Sequence, residues 1–178
     1  MNERSHLFDA GSVPERRLTL AMALIGVALA SVCAGLAGVP WAEWQWAIVL
    51  FFAFDLVGGV AAMAMGPAIR KIRPVNQPLR PLIFAAFHVH PMVLALVLPE
   101  VSWVPLVALY AICVGAVAIA IIARPVVGPG VALGTCAVGL AIIALLGMPA
   151  GLEWFAPAYL LKLAGSFAVR PPEPASAR

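Results

Sequence analysis

The stretch WQWAIVLFFAFDLVGGVAAMAMG, residues Trp44–Gly66, decides the class of fold, because it is almost entirely apolar and long enough to cross a membrane. A helix needs about 20 mainly apolar residues to cross the roughly 30 Å hydrocarbon core of a bilayer. The stretch begins with tryptophans, which favour the membrane–water interface, and it ends before Pro67. One acidic residue, Asp55, interrupts it halfway. The stretch therefore predicts a transmembrane helix with a single carboxyl group near its centre.

The composition of the whole chain agrees with a membrane protein. Of its 178 residues, 63% are hydrophobic and 11% are charged, and the mean hydropathy is +1.03. Soluble domains contain roughly a quarter charged residues, so this chain has too few polar residues to cover a water-soluble fold. The net charge of +3 is small and spread over loops, which indicates attraction to anionic membrane lipids and no nucleic-acid binding.

The chain contains five further apolar stretches, one before this stretch and four after it, and together the six predict an all-α integral membrane bundle of six transmembrane helices. The predicted spans are Leu18–Gly38, Trp44–Gly66, Pro81–Leu98, Trp103–Ala123, Val127–Gly147 and Trp154–Val169. The last is short and contains Pro157 and Lys162, so the alternative for it is an amphipathic helix on the outer face, which leaves five spans. Residues 18–169 form a single predicted bundle between the terminal segments 1–17 and 170–178.

The positions of the basic residues predict the orientation of the bundle, because lysine and arginine are enriched in cytoplasmic loops. Except for Lys162, they lie in the terminal segments and in the second and fourth loops: Arg4, Arg16, Arg17, Arg70, Lys71, Arg73, Arg80, Arg124, Arg170 and Arg178. The tryptophans lie in or beside the other three loops: Trp41, Trp44, Trp46, Trp103 and Trp154. Both termini are therefore predicted to be cytoplasmic, in the inner membrane of a bacterium.

Four ionisable side chains are predicted to lie within the hydrocarbon: Asp55 in the second span, His88 and His90 in the third, and Lys162 in the sixth. A charge near the bilayer centre costs about 2.5–3.5 kcal/mol on insertion scales, so such residues normally face protein and find partners. Counted at about 1.5 Å per residue from the ends of their spans, all four reach one zone in the middle of the bilayer. Gly59, one turn after Asp55, favours close approach of a neighbouring helix. The pattern predicts a polar site inside the bundle.

The sequence Phe87-His88-Val89-His90-Pro91 predicts a break in the third span. On a straight helix, side chains two residues apart diverge by about 200°, so the two imidazoles would not face one cavity. Pro91 has no N–H to donate to the carbonyl of Phe87, and its ring disfavours helical geometry at His90. Irregular backbone at membrane depth is tolerated where it lines protein or water. We therefore expect a kink that turns both imidazoles toward one polar cavity.

Several interpretations of these side chains are open at this point. Asp55 and Lys162 would form a neutralising ion pair that fixes helix register, and either histidine would hydrogen-bond a neighbouring carbonyl. Alternatively, Asp55, His88 and His90 would bind Zn²⁺ or a similar divalent ion as three ligands, with one position left for water. The same groups also suit a proton relay in a transporter. No nucleotide-binding loop or hydrolase motif narrows the choice.

Three short elements make the chain similar to a group of small bacterial multi-pass membrane proteins. They are Asp-Leu-x-Gly-Gly at Asp55–Gly59, His-x-His-Pro at His88–Pro91 and Leu-Lys-Leu at Leu161–Leu163. The resemblance covers the second, third and sixth spans and carries no established activity. It implies that the Asp, His-x-His and Lys elements belong together in one site. This chain has only Ala and Met at Ala61–Met65, where those relatives have Asn and Thr.

Three functions are compatible with these features. The first is a membrane-embedded enzyme on a lipid or other hydrophobic substrate, with Asp55, His88 and His90 as acid–base groups or metal ligands and Lys162 in an electrostatic role. The second is a small proton- or ion-coupled transporter. The third is a structural or accessory subunit of a membrane complex, in which the polar residues only set helix packing. Membrane lipids are expected partners in each case, with a second copy of the chain or a complex subunit as further candidates.

Overall fold

The computed structural model describes residues 12–74, 77–123 and 127–169, and within these ranges it contains helices and no strands. The helices are α1 Val13–Ala37, α2 Glu43–Ala64, α3 Gly66–Ile72, α4 Arg80–Phe87, α5 His90–Val97, α6 Trp103–Ile122, α7 Gly128–Leu146 and α8 Phe155–Leu163, followed by a 3₁₀ helix, Gly165–Ala168. The predicted all-α class is confirmed.

Five helical segments in the described part of the chain are long and apolar enough to cross a membrane. They are α1, α2, the α4–α5 segment Arg80–Val97, α6 and α7. Large apolar side chains cover their outer faces; Leu36, Ile122 and Leu145 are each more than 80% exposed. Such exposure suits contact with lipid, so the chain is an all-α bundle of the membrane type, as predicted.

Helix α1 begins earlier than the predicted span. Ser12 and Glu15 form a capping box, in which the Glu15 carboxylate accepts from the Ser12 N–H at 2.5 Å. Pro14 lies in the first turn, where its missing N–H has no consequence. The helix therefore extends into the predicted terminal segment 1–17. Its residues 1–11 lie outside the described residues, as do the predictions that concern Arg124 and the tail 170–178.

Helices α1 and α2 form an antiparallel hairpin that packs through small side chains. A Cβ atom added at Gly26 would lie only 2.6 Å from the Cβ of Val57, so nothing larger than glycine fits at this crossing. Ala30 and Ala34 of α1 are also buried. Gly38 is exposed and ends the helix with a φ of 62°.

The two ends of the bundle differ in their side chains. We call one the basic end, which carries Arg16, Arg17, Arg70, Lys71, Arg73 and Arg80, and the other the tryptophan end, which carries Trp41, Trp44, Trp46 and Trp103. At the tryptophan end, Gln45 Nε2 donates to the carbonyl of Val97 at 2.7 Å and joins α2 to α5. Trp154 does not fit the predicted interfacial position. It is 4% exposed because it precedes α8, which lies inside the bundle.

The last helical segment is shorter and less regular than the predicted sixth span. Helix α8 has nine residues, too few for a full transmembrane helix. It does not lie on the surface either, because nearly all of its side chains are buried. Gly151, just before α8, lies against Ala34 and Trp41 near the tryptophan end. After the 3₁₀ helix, the carbonyl of Val169 accepts from Arg73 Nη1 at 3.2 Å at the basic end. A short, broken segment thus connects the two ends through the centre of the bundle.

Candidate functional site

The third predicted span is broken where the sequence predicts it. Helix α4 ends at Phe87, α5 begins at His90, and His88 between them has a ψ of 62°, which is not helical. Pro91 lies in the first turn of α5, where a missing N–H is harmless. The kink brings the rings of His88 and His90 to a centroid distance of 5.2 Å, which confirms that both face the same region.

Local groups satisfy several of the carbonyls that the break releases. The N–H of His88 donates to the carbonyl of Ala85 at 3.1 Å, and the N–H of Val89 donates to that of Phe87 at 2.9 Å. The His88 ring nitrogen Nδ1 lies 2.7 Å from the carbonyl oxygen of Phe84. A carbonyl only accepts, so Nδ1 carries the hydrogen, and in a neutral ring Nε2 is then an acceptor. The break therefore fixes the orientation of His88.

Two tyrosines from other helices complete the hydrogen bonding of the break. Tyr110 of α6 donates to the carbonyl of Ala86 at 2.8 Å, and Tyr159 of α8 donates to that of His88 at 2.6 Å. Neither tyrosine is among the residues that the sequence predicts for the site. The signal was available, because a tyrosine within an apolar helix needs a partner for its hydroxyl group.

Asp55 is the centre of the polar site. Its Oδ2 accepts from Lys162 Nζ at 2.5 Å and lies 3.2 Å from His90 Nε2. Lys162 reaches Asp55 by passing over Gly59, where an added Cβ would lie 2.5 Å from the lysine Cε. The predicted approach of a neighbouring helix at Gly59 is thus confirmed, and the approaching helix is α8.

Asp55 is more exposed than either of its two partners, Lys162 and His90. The side chain of Lys162 is 5% exposed and that of His90 is 15% exposed, whereas that of Asp55 is 36% exposed. The ring of Phe52 packs on His90 at a centroid distance of 4.4 Å and closes that side. Lys162 and His90 are therefore held inside the protein, and the carboxylate presents an open edge.

That open edge faces a cavity of about 720 Å³, which lies among α1, α2, α3 and α4. Asp55, His88 and Lys162 contribute to its wall, and Arg16 and Lys71 contribute to it at the basic end. Most of the remaining wall is apolar: Leu20, Ala23, Phe51, Phe54, Met63, Ile72 and Phe84. Its volume is in the range of small-molecule binding sites, about 300–1,000 Å³. The four predicted residues therefore converge, and three of them line the cavity while His90 supports Asp55 from behind.

The arrangement does not favour the predicted metal site. Among the described residues, no three His, Cys, Asp or Glu side chains are placed to hold a metal ion together. The Nδ1 of His88 is bonded to a carbonyl, and the Oδ2 of Asp55 is occupied by Lys162 and His90. Binding of zinc by Asp55, His88 and His90 stays a prediction that the geometry does not support.

The hydrogen-bond network orients the ring of the second histidine. His90 Nε2 faces a carboxylate oxygen, so this nitrogen carries a hydrogen and donates it. Its Nδ1 is buried and has no partner among the described residues.

No family model, curated protein or solved structure matches the chain, so its function is inferred from this geometry.

Proposed function

We propose that the chain is a membrane-embedded enzyme that acts on a hydrophobic substrate, with the reacting polar group held beside Asp55 and His88. One observation carries this proposal: a cavity of about 720 Å³ with mostly apolar walls includes an ionic cluster in its wall. Apolar pockets with a few convergent polar groups are the usual form of small-molecule sites. The apolar wall would hold the body of the substrate and the cluster would carry the chemistry.

His88 is the proposed acid–base group. Its Nδ1–H is held by the carbonyl of Phe84, which leaves Nε2 to accept a proton from the substrate or from water and to return it. Asp55 would act beside it through Oδ1, since Oδ2 holds Lys162 and His90. A carboxylate and an imidazole on one wall suit proton transfer to or from a hydroxyl, carbonyl or enol group.

Lys162 and His90 are proposed as positioning residues for Asp55. A lone carboxylate would be costly at this depth, and a hydrogen-bonded cationic partner offsets that cost. The partners bond only one oxygen, so the carboxylate stays fixed without being covered. This explains why α8, which brings Lys162 to Asp55, lies in the centre of the bundle.

The same geometry favours an enzyme over a proton- or ion-coupled transporter. On the tryptophan side of Asp55, the interior is filled by aromatic rings: Phe52 packs on His90, and Phe155 stacks on Tyr159 at a centroid distance of 5.7 Å. Passage in that direction would require buried rings to move. Access from one end alone suits a substrate that enters and leaves by the same route.

A purely structural role for the cluster explains less of the geometry. An ion pair that only fixes helix register has no need of an adjoining cavity, and the 36% exposure of Asp55 weakens its bonds to both partners. As an accessory subunit, the chain would also gain nothing from the fixed orientation of His88. We further propose that the basic end is cytoplasmic, in a bacterial inner membrane, as the positive-inside rule indicates.

The test is a comparison of membrane lipids. Cells that express the wild type, Asp55→Asn or His88→Gln at equal levels are extracted, and their lipids are compared by mass spectrometry. Loss of an acid–base group typically lowers a rate by about 10²–10⁴-fold, so we expect a lipid change that depends on both residues. Glu100→Gln is the matched control, because it removes the same charge at an exposed loop position.

The outcomes separate the proposal from its competitors. A lipid species that changes with the wild type and Glu100→Gln, but not with Asp55→Asn or His88→Gln, supports the enzyme. Lipids that are identical in all four strains, with folded protein present in each, contradict it.

A further inference from the structure

Two residues at the basic end of the cavity wall have no role in the proposed chemistry. Arg16 of α1 and Lys71 of α3 both contribute to this wall, and both are exposed. Neither forms an ion pair with another described residue. Glu15, the acidic residue beside them, has its carboxylate bound to the Ser12 N–H at 2.5 Å in the helix cap. The cavity therefore has an excess of positive charge at its basic end.

This charge lies at a definite distance from the polar cluster. Met65, which also lines the cavity, caps the C-terminal end of α2 ten residues after Asp55, and Lys71 follows it in the sequence on α3. At about 1.5 Å per residue, ten residues correspond to about 15 Å along α2. The wall between the two polar regions is apolar. An occupant that fits both regions has an anionic head, an apolar body and a second polar group about 15 Å away.

We infer that the substrate, on the proposed function above, is an anionic phospholipid of the bilayer whose phosphate group is bound by Arg16 and Lys71. One chain of this lipid lies along the apolar wall and carries the reacting group to His88 and Asp55. The depth agrees, because Arg16 lies in the first turn of the membrane-spanning helix α1, and Lys71 lies on the short helix α3, which follows the end of the membrane-spanning helix α2. Basic side chains at this level each strengthen binding of an anionic lipid about fivefold.

The experiment measures binding and does not require turnover. The protein is placed in nanodiscs of phosphatidylcholine with a minor fraction of phosphatidylglycerol, which has an anionic head. It is then extracted in mild detergent, and the bound lipid is identified by mass spectrometry. We expect the wild type to retain phosphatidylglycerol in excess of its share of the bilayer. The double variant Arg16→Gln with Lys71→Gln is expected to lower this enrichment about 25-fold, which is about fivefold for each side chain.

A second double variant keeps the test specific. Arg17→Gln with Arg80→Gln removes the same net charge from the same end of the bundle, at exposed positions that do not line the cavity. Loss of enrichment in the first double variant alone supports the inference. Equal enrichment in both variants overturns it, and so does an equal loss, which would indicate only general attraction to the surface.

Failure here is distinguishable from failure of the enzyme. If the binding experiment overturns the inference, the proposed enzyme can still act on a neutral lipid. The lipid comparison in cells would then still show a change that depends on Asp55 and His88. Conversely, if the protein binds phosphatidylglycerol selectively but causes no lipid change in cells, the binding site is supported and the enzyme proposal is contradicted.

Discussion

The α1–α2 hairpin and the region formed by α4, α5 and α8 pack in different ways. In the hairpin, two continuous helices meet at glycines, and added Cβ atoms at Gly26 and Gly58 would lie 2.6 Å and 2.8 Å from side chains of the facing helix. In the second region the helices are short or broken, and a hydrogen bond from Tyr159 joins α8 to the break between α4 and α5. Lys162 of the same helix donates to Asp55 and joins α8 to α2 of the hairpin.

The difference shows how a polar site arises in a membrane bundle. A continuous helix satisfies its own backbone, so its neighbours need only fit its surface. A broken helix releases carbonyls that need donors, and those donors have to come from polar side chains inside the protein. The break at His88 thus brings Tyr159 and α8 to the centre, and with them Lys162. The site and the irregular backbone are two parts of one arrangement.

The largest expected effect is that of Lys162→Met, which removes the ion pair between Lys162 and Asp55. Removing one partner of a buried ion pair costs about 3–5 kcal/mol. We expect about 3 kcal/mol of lost unfolding free energy, the lower limit, because Asp55 keeps His90 and is partly exposed. The measurement is a denaturant titration in mixed micelles. The matched control is Lys71→Met, the other lysine of the chain, which is exposed and is expected to change stability by less than about 0.5 kcal/mol.

The double variant Lys162→Met with Asp55→Asn sharpens that result. Replacing both charges removes the unpaired carboxylate, so most of the lost stability is expected to return. A double variant as unstable as the sum of the single variants would show that the two residues do not interact.

An intermediate effect is expected in the hairpin, from Gly26→Ala. The new methyl group would lie 2.6 Å from the Cβ of Val57 and 2.8 Å from the carbonyl oxygen of Ala53, so the helices have to separate. Overpacking of this kind costs about 1–3 kcal/mol, and we expect about 2 kcal/mol in the same titration. Gly35→Ala on the same helix is the control, because no atom lies within 4 Å of its added Cβ. Equal effects of the two substitutions would argue against the close crossing.

The smallest effect is expected from Tyr159→Phe, which leaves the carbonyl of His88 without its 2.6 Å hydrogen bond. An unsatisfied buried acceptor costs about 1–2 kcal/mol. The comparison predicts a further change in the lipid assay, because the break that orients His88 loses a support. Phe155→Leu, which removes the stacked ring but no hydrogen bond, distinguishes loss of packing from loss of the donor. If Tyr159→Phe leaves both stability and lipid change intact, the tyrosine does not support the break.

Much of this arrangement could be predicted from local sequence. The length of the apolar stretches predicted all five of the membrane-spanning segments in the described part of the chain, and Pro91 predicted the break. Both features depend on neighbouring residues alone. The inward position of Lys162 followed from the high cost of exposing a charge to lipid. The convergence of Asp55, His88 and His90 followed from their common depth and from the kink.

The rest depends on contacts between distant segments. The length expected from hydropathy assumes that a helix is surrounded by lipid and has to cross the whole bilayer. Most side chains of α8 are instead buried in protein, so this helix can be short. Trp154 is buried for the same reason, against the expectation for an interfacial tryptophan. The cavity needs the relative placement of four helices, which no periodicity reveals. Metal binding by Asp55, His88 and His90 is one of several interpretations that the sequence leaves open, and the bonds that orient the two rings do not support it.

The contact between Lys162 and Asp55 is the central claim, and it is directly measurable in a bilayer. The variant Lys71→Arg with Asp9→Glu has one lysine and one aspartate, since the chain contains two of each. Labelling with ¹⁵Nζ-lysine and ¹³Cγ-aspartate then reports a single pair by solid-state NMR. The account predicts a strong dipolar coupling at a separation of about 3–4 Å, as the 2.5 Å contact between Nζ and Oδ2 requires. The absence of a measurable coupling in folded protein would contradict it.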